Sequence, residues 1–280
     1  MQDTIAMVFD FDDTLAPDTT SGLLAWLGIK DVPAFWDRQV GPLTDAGWDP
    51  VPAYLYAMVQ AARQGQCRPL TREAMAEWGA QAPLHPGVED LFDRLLDASR
   101  TANARAQLEF YVVSSGIGDV LRATAIAQRF TAIWSSELHY DDRGEASFPR
   151  RVVSFTDKTR YLFHIQKGLV GPEFDRDPFA VNRRISAERL RVPLSHMIFV
   201  GDGYTDIPCF SLIEQHGGTP IAVYDPHRRD KWHRAFDFVR EGRVRTLHSA
   251  NYAPGSDLSN TLEMATASLA RELGARAAAR

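Results

Sequence analysis

The sequence predicts an α/β protein built on a doubly wound, Rossmann-like parallel sheet. Three observations carry that expectation: short apolar runs recur along the 280 residues, longer amphipathic segments separate them, and several runs end abruptly in polar residues. Ile5-Ala6-Met7-Val8-Phe9 runs into Asp10, Phe110-Tyr111-Val112-Val113 into Ser114, and Met197-Ile198-Phe199-Val200 into Gly201-Asp202. Ile133-Trp134 and Ile221-Ala222-Val223-Tyr224 supply two more runs of the same kind. Strands covered by helices on both faces need this nearly continuous apolar character. Between them, Val88, Leu91, Phe92, Leu95 and Leu96 fall at helical spacing and predict a helix over 88–99. Residues 116–130 read in the same way.

Two segments interrupt the alternation. Residues 16–83 carry short helical patterns and no convincing strand, with Thr71 placed to cap a helix and Gly65 closing a helical stretch over 54–63. Trp26, Trp36, Trp48 and Trp78 lie there, and aromatics so concentrated in a small helical unit are expected to be its core. Arg63, Arg68 and Arg72 in the same stretch read as solvated side chains. The second interruption, 137–153, has Asp142-Arg143-Gly144 between short mixed runs and reads as a β-hairpin excursion. His85-Pro86-Gly87 marks the return from the first insertion. The expected organisation is a core domain of residues 1–15 and 84–258, a small helical domain over 16–83, and a C-terminal helix over 259–280.

Composition narrows the function classes. Lys and Arg total 31 against 36 Asp and Glu, a net charge of −5, which gives no footprint for nucleic acid. No apolar run is long enough to span a membrane, and Met1-Gln2-Asp3 does not open a signal peptide. The two cysteines, Cys67 and Cys209, cannot build a disulfide framework. The expectation is a soluble, cytoplasmic protein with no nucleic-acid or membrane partner; oligomeric state is not legible.

Ligands bind outside the carboxyl ends of the strands in an open α/β sheet, so the polar residues at the strand ends belong to one site. In Asp10-Phe11-Asp12-Asp13-Thr14, strand alternation sends Asp10 and Asp12 to the same side, where a proton or a cation must relieve their repulsion. Ser114-Ser115-Gly116 offers a hydroxyl and backbone N–H groups to an anion at the start of the expected helix. In Gly201-Asp202-Gly203-Tyr204-Thr205-Asp206, glycines let the backbone turn around a ligand, and Asp202 and Asp206 approach one spot if a helix begins there. Oxygen ligands of this sort suit Mg²⁺. Lys158, in Thr156-Asp157-Lys158-Thr159, opens another helical run. Together these groups answer one chemical problem. A carboxylate that attacks a phosphate dianion needs Mg²⁺ and a lysine to offset the repulsion, donors for the phosphoryl oxygens, and a second carboxyl to protonate the leaving alkoxide.

The ordered set Asp10-Phe11-Asp12-Asp13-Thr14, Ser114, Lys158 and Gly201-Asp202-Gly203-Tyr204-Thr205-Asp206 resembles the four motifs of the haloacid dehalogenase-like (HAD) superfamily, in its phosphatase branch, over about residues 5–224. The resemblance implies a HAD core fold and a Mg²⁺-dependent phosphomonoester hydrolase acting on a small phosphorylated metabolite through an aspartyl-phosphate. It implies that Asp10 is the nucleophile and Asp12 the general acid/base, that Ser114 and Lys158 bind the phosphoryl group, and that Mg²⁺ is held by Asp10, the backbone carbonyl of Asp12, Asp202 and the nearby Asp206. Residues 16–83 resemble the helical cap of phosphoserine phosphatase relatives, which closes over the site and selects substrate. Asp13 stands where many relatives have glycine, and Tyr204-Thr205 with Ile207-Pro208 departs from phosphoserine phosphatases, so phosphoserine is not carried over as substrate. Two other functions fit the same scaffold: a phosphomutase or phosphotransferase, and a non-catalytic phosphate- or protein-binding module.

Overall fold

The computed structural model describes residues 3–278; residues 1–2 and 279–280, where the ends of the expected core domain and C-terminal helix fall, lie outside the described residues. Seven strands form one sheet: β1 (Thr4–Phe9), β2 (Gln107–Ile117), β3 (Ala132–Tyr140), β4 (Ala146–Arg151), β5 (Met197–Gly201), β6 (Thr219–Tyr224) and β7 (Leu247–Ser249). Their spatial order is β4-β3-β2-β1-β5-β6-β7, and every pairing is parallel except β3 with β4. The chain moves from β1 outward through β2 and β3, then returns to place β5 on the other side of β1. That reversal opens a crevice at the carboxyl ends of β1 and β5.

The alternation inside β1 shows how the sheet is covered. All six of its residues are buried. Met7 and Phe9 join one apolar cluster, Ala6 and Val8 the other. Helix Val88–Ala102 and helix Asp257–Ala278 pack together on the first face. Buried residues of the 16–83 segment, Leu23, Leu55, Met58 and Met75 among them, belong to that same cluster. The second face is covered by helices Phe155–Lys167, Ile207–Gln215 and Trp232–Arg240 through Leu162, Phe210 and Phe238.

Residues 16–83 hold helices Thr19–Leu27, Val32–Phe35, Gly41–Asp45, Pro50–Arg63 and Arg72–Gly79, with a π-turn at Trp36–Val40. Thr71 caps the last of these by accepting from Ala74 N at 3.1 Å. Trp26 and Trp78 pack ring to ring at 6.5 Å, and Trp36 meets Tyr54 at 5.8 Å. The indole N–H of Trp78 donates to Thr19 O at 3.0 Å and that of Trp36 to Ser21 Oγ at 2.9 Å. These three serve packing, whereas Trp48 is 42% exposed beside Tyr56. The 137–153 excursion is the β3–β4 hairpin, closed where Asp141 N donates to Glu145 O at 2.9 Å.

One expected element is different. The helix over 116–130 is replaced by an extension of β2 to Ile117, one helical turn at Gly118–Leu121 and a 3₁₀ turn at Ala127–Arg129. The Thr124 hydroxyl donates to Leu121 O at 2.7 Å, a local bond that competes with helix continuation. Val120, Leu121 and Ile126 are buried all the same, which explains the apparent periodicity.

Helix Asp257–Ala278 is fastened rather than frayed: Leu262 is fully buried, and Arg94 reaches Glu263 at 2.9 Å and Gly87 O at 3.2 Å. Leu262→Ala is expected to destabilise the fold by about 2–5 kcal/mol, read from the urea midpoint. A loss below about 0.5 kcal/mol, the range of surface substitutions, would mean that the helix does not contribute to the core.

Candidate active site

Four segments converge on the crevice between β1 and β5. Asp10 follows β1 and is tied to the neighbouring strand where its N–H donates to Val200 O at 2.9 Å. The chain then turns sharply. The N–H groups of Thr14, Leu15 and Ala16 all donate to Phe11 O, and Asp13 adopts a left-handed φ of 55°. Glycine takes that conformation without cost, whereas aspartate tolerates it. Here Asp13 has a second attachment, an ion pair with Lys231 Nζ.

Lys158 comes from the first turn of helix Phe155–Lys167 and is fully buried. Its Nζ lies 2.9 Å from Asp10 Oδ2 and 2.7 Å from Asp206 Oδ1. Burial alone would favour the neutral amine, but the two carboxylates outweigh it and hold Lys158 charged. Asp206 arrives through the 3₁₀ turn Tyr204–Asp206, whose position brings Asp202 and Asp206 together. The Oδ2 of Asp206 accepts from Asp202 N at 3.1 Å and Gly203 N at 2.9 Å, so both its oxygens are engaged. An added Cβ at Gly201 would come within 2.6 Å of the Asp206 carboxyl, which leaves no room for a side chain there.

Ser114 is buried at the end of β2 and accepts from Gly116 N at 3.0 Å. It lies within the strand, four residues ahead of the first helical turn, not at a helix N-terminus. A Cβ at Gly116 would meet Asp12 Oδ2 at 2.7 Å and Ser114 Oγ at 3.3 Å, so the Gly116 backbone sits between these two groups.

The two carboxyls of the first loop face different partners. Asp12 Oδ1 accepts from Thr19 N at 2.8 Å and from the Thr19 hydroxyl, at the start of the first inserted helix. Asp10, Asp202 and Asp206 instead form a cluster whose ligand oxygens lie within 4.8 Å of one another. Burial raises Asp10 to about 6 despite the pull of Lys158. Burial, with Asp18 nearby, raises Asp12 to about 7. Asp202 is pushed well above the ordinary carboxylate range, first by burial and then by Asp13, Asp206 and Asp10.

This donor set fits a hard divalent cation. Asp10, Asp12, Asp13, Asp202 and Asp206 bring five carboxyl groups, while the ion-paired cations are Lys158, Lys231 and Arg234, the last 3.1 Å from Asp202 Oδ2. With every carboxyl ionised two negative charges would be left over; burial instead favours protons on Asp10, Asp12 and Asp202, and a divalent cation would relieve the same repulsion through oxygen donors of the kind that suit Mg²⁺. Asp12, whose Oδ1 is engaged by Thr19, stands outside the Asp10, Asp202 and Asp206 cluster.

Sequence reading did not find Lys231, Arg234, Thr19 or Tyr54. Tyr54, from helix Pro50–Arg63, donates to Ser115 O at 2.7 Å, and burial raises its pKa beyond the ordinary tyrosine value. None of the four lies in a local motif. Long-range chain reversal brings them in, and only Thr19, as a hydroxyl near a helix start, leaves a local trace.

The fold and the site together define a class. Residues 7–211 match the family of haloacid dehalogenase-like hydrolases, and the chain belongs to that family. It is similar to an uncharacterized protein from Borreliella burgdorferi, 27% identical over 92% of this chain and 95% of that one. Among solved structures it is similar to a phospho-aspartyl intermediate analogue of phosphoserine phosphatase, with a TM-score of 0.54 and 16% identity over 93% of this chain and 98% of the other. A HAD family hydrolase from Salmonella enterica serovar Typhi gives a TM-score of 0.53 and 16% identity, over 90% and 68% respectively. At such identities the structural likeness speaks for the fold.

A cation that binds the folded site raises the melting temperature. A site that takes Mg²⁺ is expected to gain about 2.7 kcal/mol at about 100 times the Kd, or roughly 5–10 °C in a chain of this size. Asp202→Asn is expected to remove most of that rise. Because protons compete for Asp10, raised to about 6, the rise should shrink as pH falls below that value, and the raised pKa of Asp202 acts in the same direction. Thermal scans with Mg²⁺ and with EDTA, at several pH values, check both expectations.

Proposed function

We propose that the chain is a Mg²⁺-dependent phosphomonoester hydrolase that acts on a small phosphorylated metabolite through an aspartyl-phosphate. The observation that carries this reading is the pairing of Asp10 with the buried, charged Lys158 beside a second carboxyl, Asp12, whose pKa is raised to about 7. A HAD relative captured as a phospho-aspartyl intermediate analogue supports it.

In this reading Asp10 Oδ attacks phosphorus, forming a P–O bond as the ester P–O bond breaks. Lys158 holds Asp10 in place and offsets the charge that gathers on the phosphoryl oxygens. Ser114 and the Gly116 backbone receive those oxygens. Asp12, about half protonated near neutral pH, gives its proton to the departing alkoxide and then takes one from the water that hydrolyses the acyl phosphate, which frees phosphate and restores Asp10. When bound by Asp10, Asp202 and the Asp12 carbonyl, Mg²⁺ supplies further charge neutralisation. Asp206 positions Lys158 and the Asp202 loop.

Residues 16–83 would act as the cap over a core of 1–15 and 84–258. Thr19 and Tyr54 reach from that segment to Asp12 and Ser115, so its placement and that of the catalytic loops are linked. Closure of such an element excludes water and selects substrate. The free cysteines Cys67 and Cys209 accord with a cytoplasmic setting.

Asp10→Asn, checked by circular dichroism to be folded, is expected to abolish phosphate release from every ester in a panel of small phosphomonoesters. Asp12→Ala is expected to reduce kcat by roughly 10²–10⁴-fold. Full turnover by Asp10→Asn would refute the nucleophile assignment. An isomerised ester in place of free phosphate would assign the chain to the phosphomutases.

A further inference from the structure

Helix Phe155–Lys167 serves a second location. Within two turns after Lys158, Tyr161 and His164 line a separate cavity of about 600 Å³ on the sheet face opposite the 16–83 segment. Four guanidinium groups line it, Arg150, Arg151, Arg160 and Arg176, against one carboxylate, Asp175. Counting Asp157 and Glu137, which pair with Arg160 and Arg150, one positive charge is left over, in a chain whose net charge is −5. The arginines converge from β4, from the helix and from the 3₁₀ turn Pro172–Arg176.

The cavity is built on a rigid floor. Tyr111, Trp134 and Tyr161 stack in succession, with ring centroids 5.9 and 5.2 Å apart, and His164 tilts against the last two. Burial keeps His164 neutral. Arg160 lies over the Tyr161 ring at 4.8 Å and reaches the Tyr161 hydroxyl at 2.7 Å and Asp157 at 3.2 Å. Its Nε is buried with no hydrogen-bond partner. Arg151 is held 2.9 Å from Asp175, and Arg150 3.7 Å from Glu137. Arg151 and Arg160 are therefore oriented in advance, and the five donors of each outnumber the acceptors these contacts supply.

We propose that this cavity binds a small polyanion bearing phosphate or carboxylate groups, at a site distinct from the catalytic crevice. Guanidinium forks match the oxygen pairs of both groups. The volume falls in the range of small-molecule pockets, about 300–1,000 Å³. Among the described residues Asp175 is the one lining carboxylate, so the cavity has no counterpart there of the Asp10–Asp12 pair and the anion is held and not hydrolysed. The proposal stands apart from the catalytic reading.

The test is titration of the full chain with tripolyphosphate and, in a parallel arm, with citrate, followed by tryptophan fluorescence. Trp134 lies on the cavity floor, so a saturable change is expected in at least one arm, and the responding arm distinguishes phosphate from carboxylate. The double variant Arg151→Gln/Arg160→Gln, at partly exposed positions, is expected to weaken binding by about tenfold or more. Ser114→Ala, which alters the catalytic phosphate seat, should leave this affinity unchanged. The proposal is overturned by the absence of a saturable signal in both arms, by equal affinity in the folded double variant, by loss of the signal in Ser114→Ala, or by a signal that persists in Trp134→Phe.

Discussion

The structure depends on the burial of one ammonium group between two carboxylates. Lys158 has no contact with water, so its charge is tolerable only because Asp10 and Asp206 sit at 2.9 and 2.7 Å. Removing one partner of such a buried pair costs about 3–5 kcal/mol, because it leaves the other charge uncompensated. The same contacts join three otherwise separate pieces of chain: the end of β1, the helix Phe155–Lys167 and the loop after β5. Once Lys158 is in place, Asp206 can accept the N–H groups of Asp202 and Gly203, and the loop is fixed.

Sheet order explains why this happens where it does. β1 and β5 are neighbours in space although almost two hundred residues separate them in the chain, and the reversal at β1 leaves their carboxyl ends open. Apolar side chains from both faces bury the strands, so the polar residues are confined to the strand ends. The crevice thereby gathers five carboxyl groups against two lysines and one arginine, and burial raises the pKa of Asp10, Asp12 and Asp202. That imbalance is unfavourable in an empty site and useful in one that takes a cation, an example of strain retained at a functional site while the surrounding core supplies stability.

Much of this was legible in the sequence because it is local. Uninterrupted apolar runs mark buried parallel strands, and each of the motifs around Asp10, Ser114 and Asp202 sits at the end of one. Gly65, Thr71 and the Asp142-Arg143-Gly144 turn carry their own conformational signals. What was missed depends on contacts distant in sequence. β7 has three residues, too few for a pattern, and its register comes from pairing with β6. Lys231 and Arg234 reach the acidic loops from beyond β6, and no spacing rule connects them to Asp13 or Asp202. Residues 116–130 were misread because Val120, Leu121 and Ile126 are buried at roughly helical intervals while the backbone turns irregularly. The expectation that Asp10 and Asp12 share one side held only in part, since the sharp turn at Asp13 lets Asp12 face Thr19 while Asp10 joins Asp202 and Asp206.

In the proposed reaction Asp10, held by Lys158, takes the phosphoryl group on a carboxylate oxygen. The most direct test of that step is ¹⁹F NMR of the chain with beryllofluoride and Mg²⁺, since beryllofluoride bonded to a carboxylate oxygen imitates an acyl phosphate. A protein-bound signal is expected that is absent from Asp10→Asn and from samples treated with EDTA. A bound signal that persists in Asp10→Asn, or none at all in the folded, Mg²⁺-loaded wild-type chain, would contradict that step.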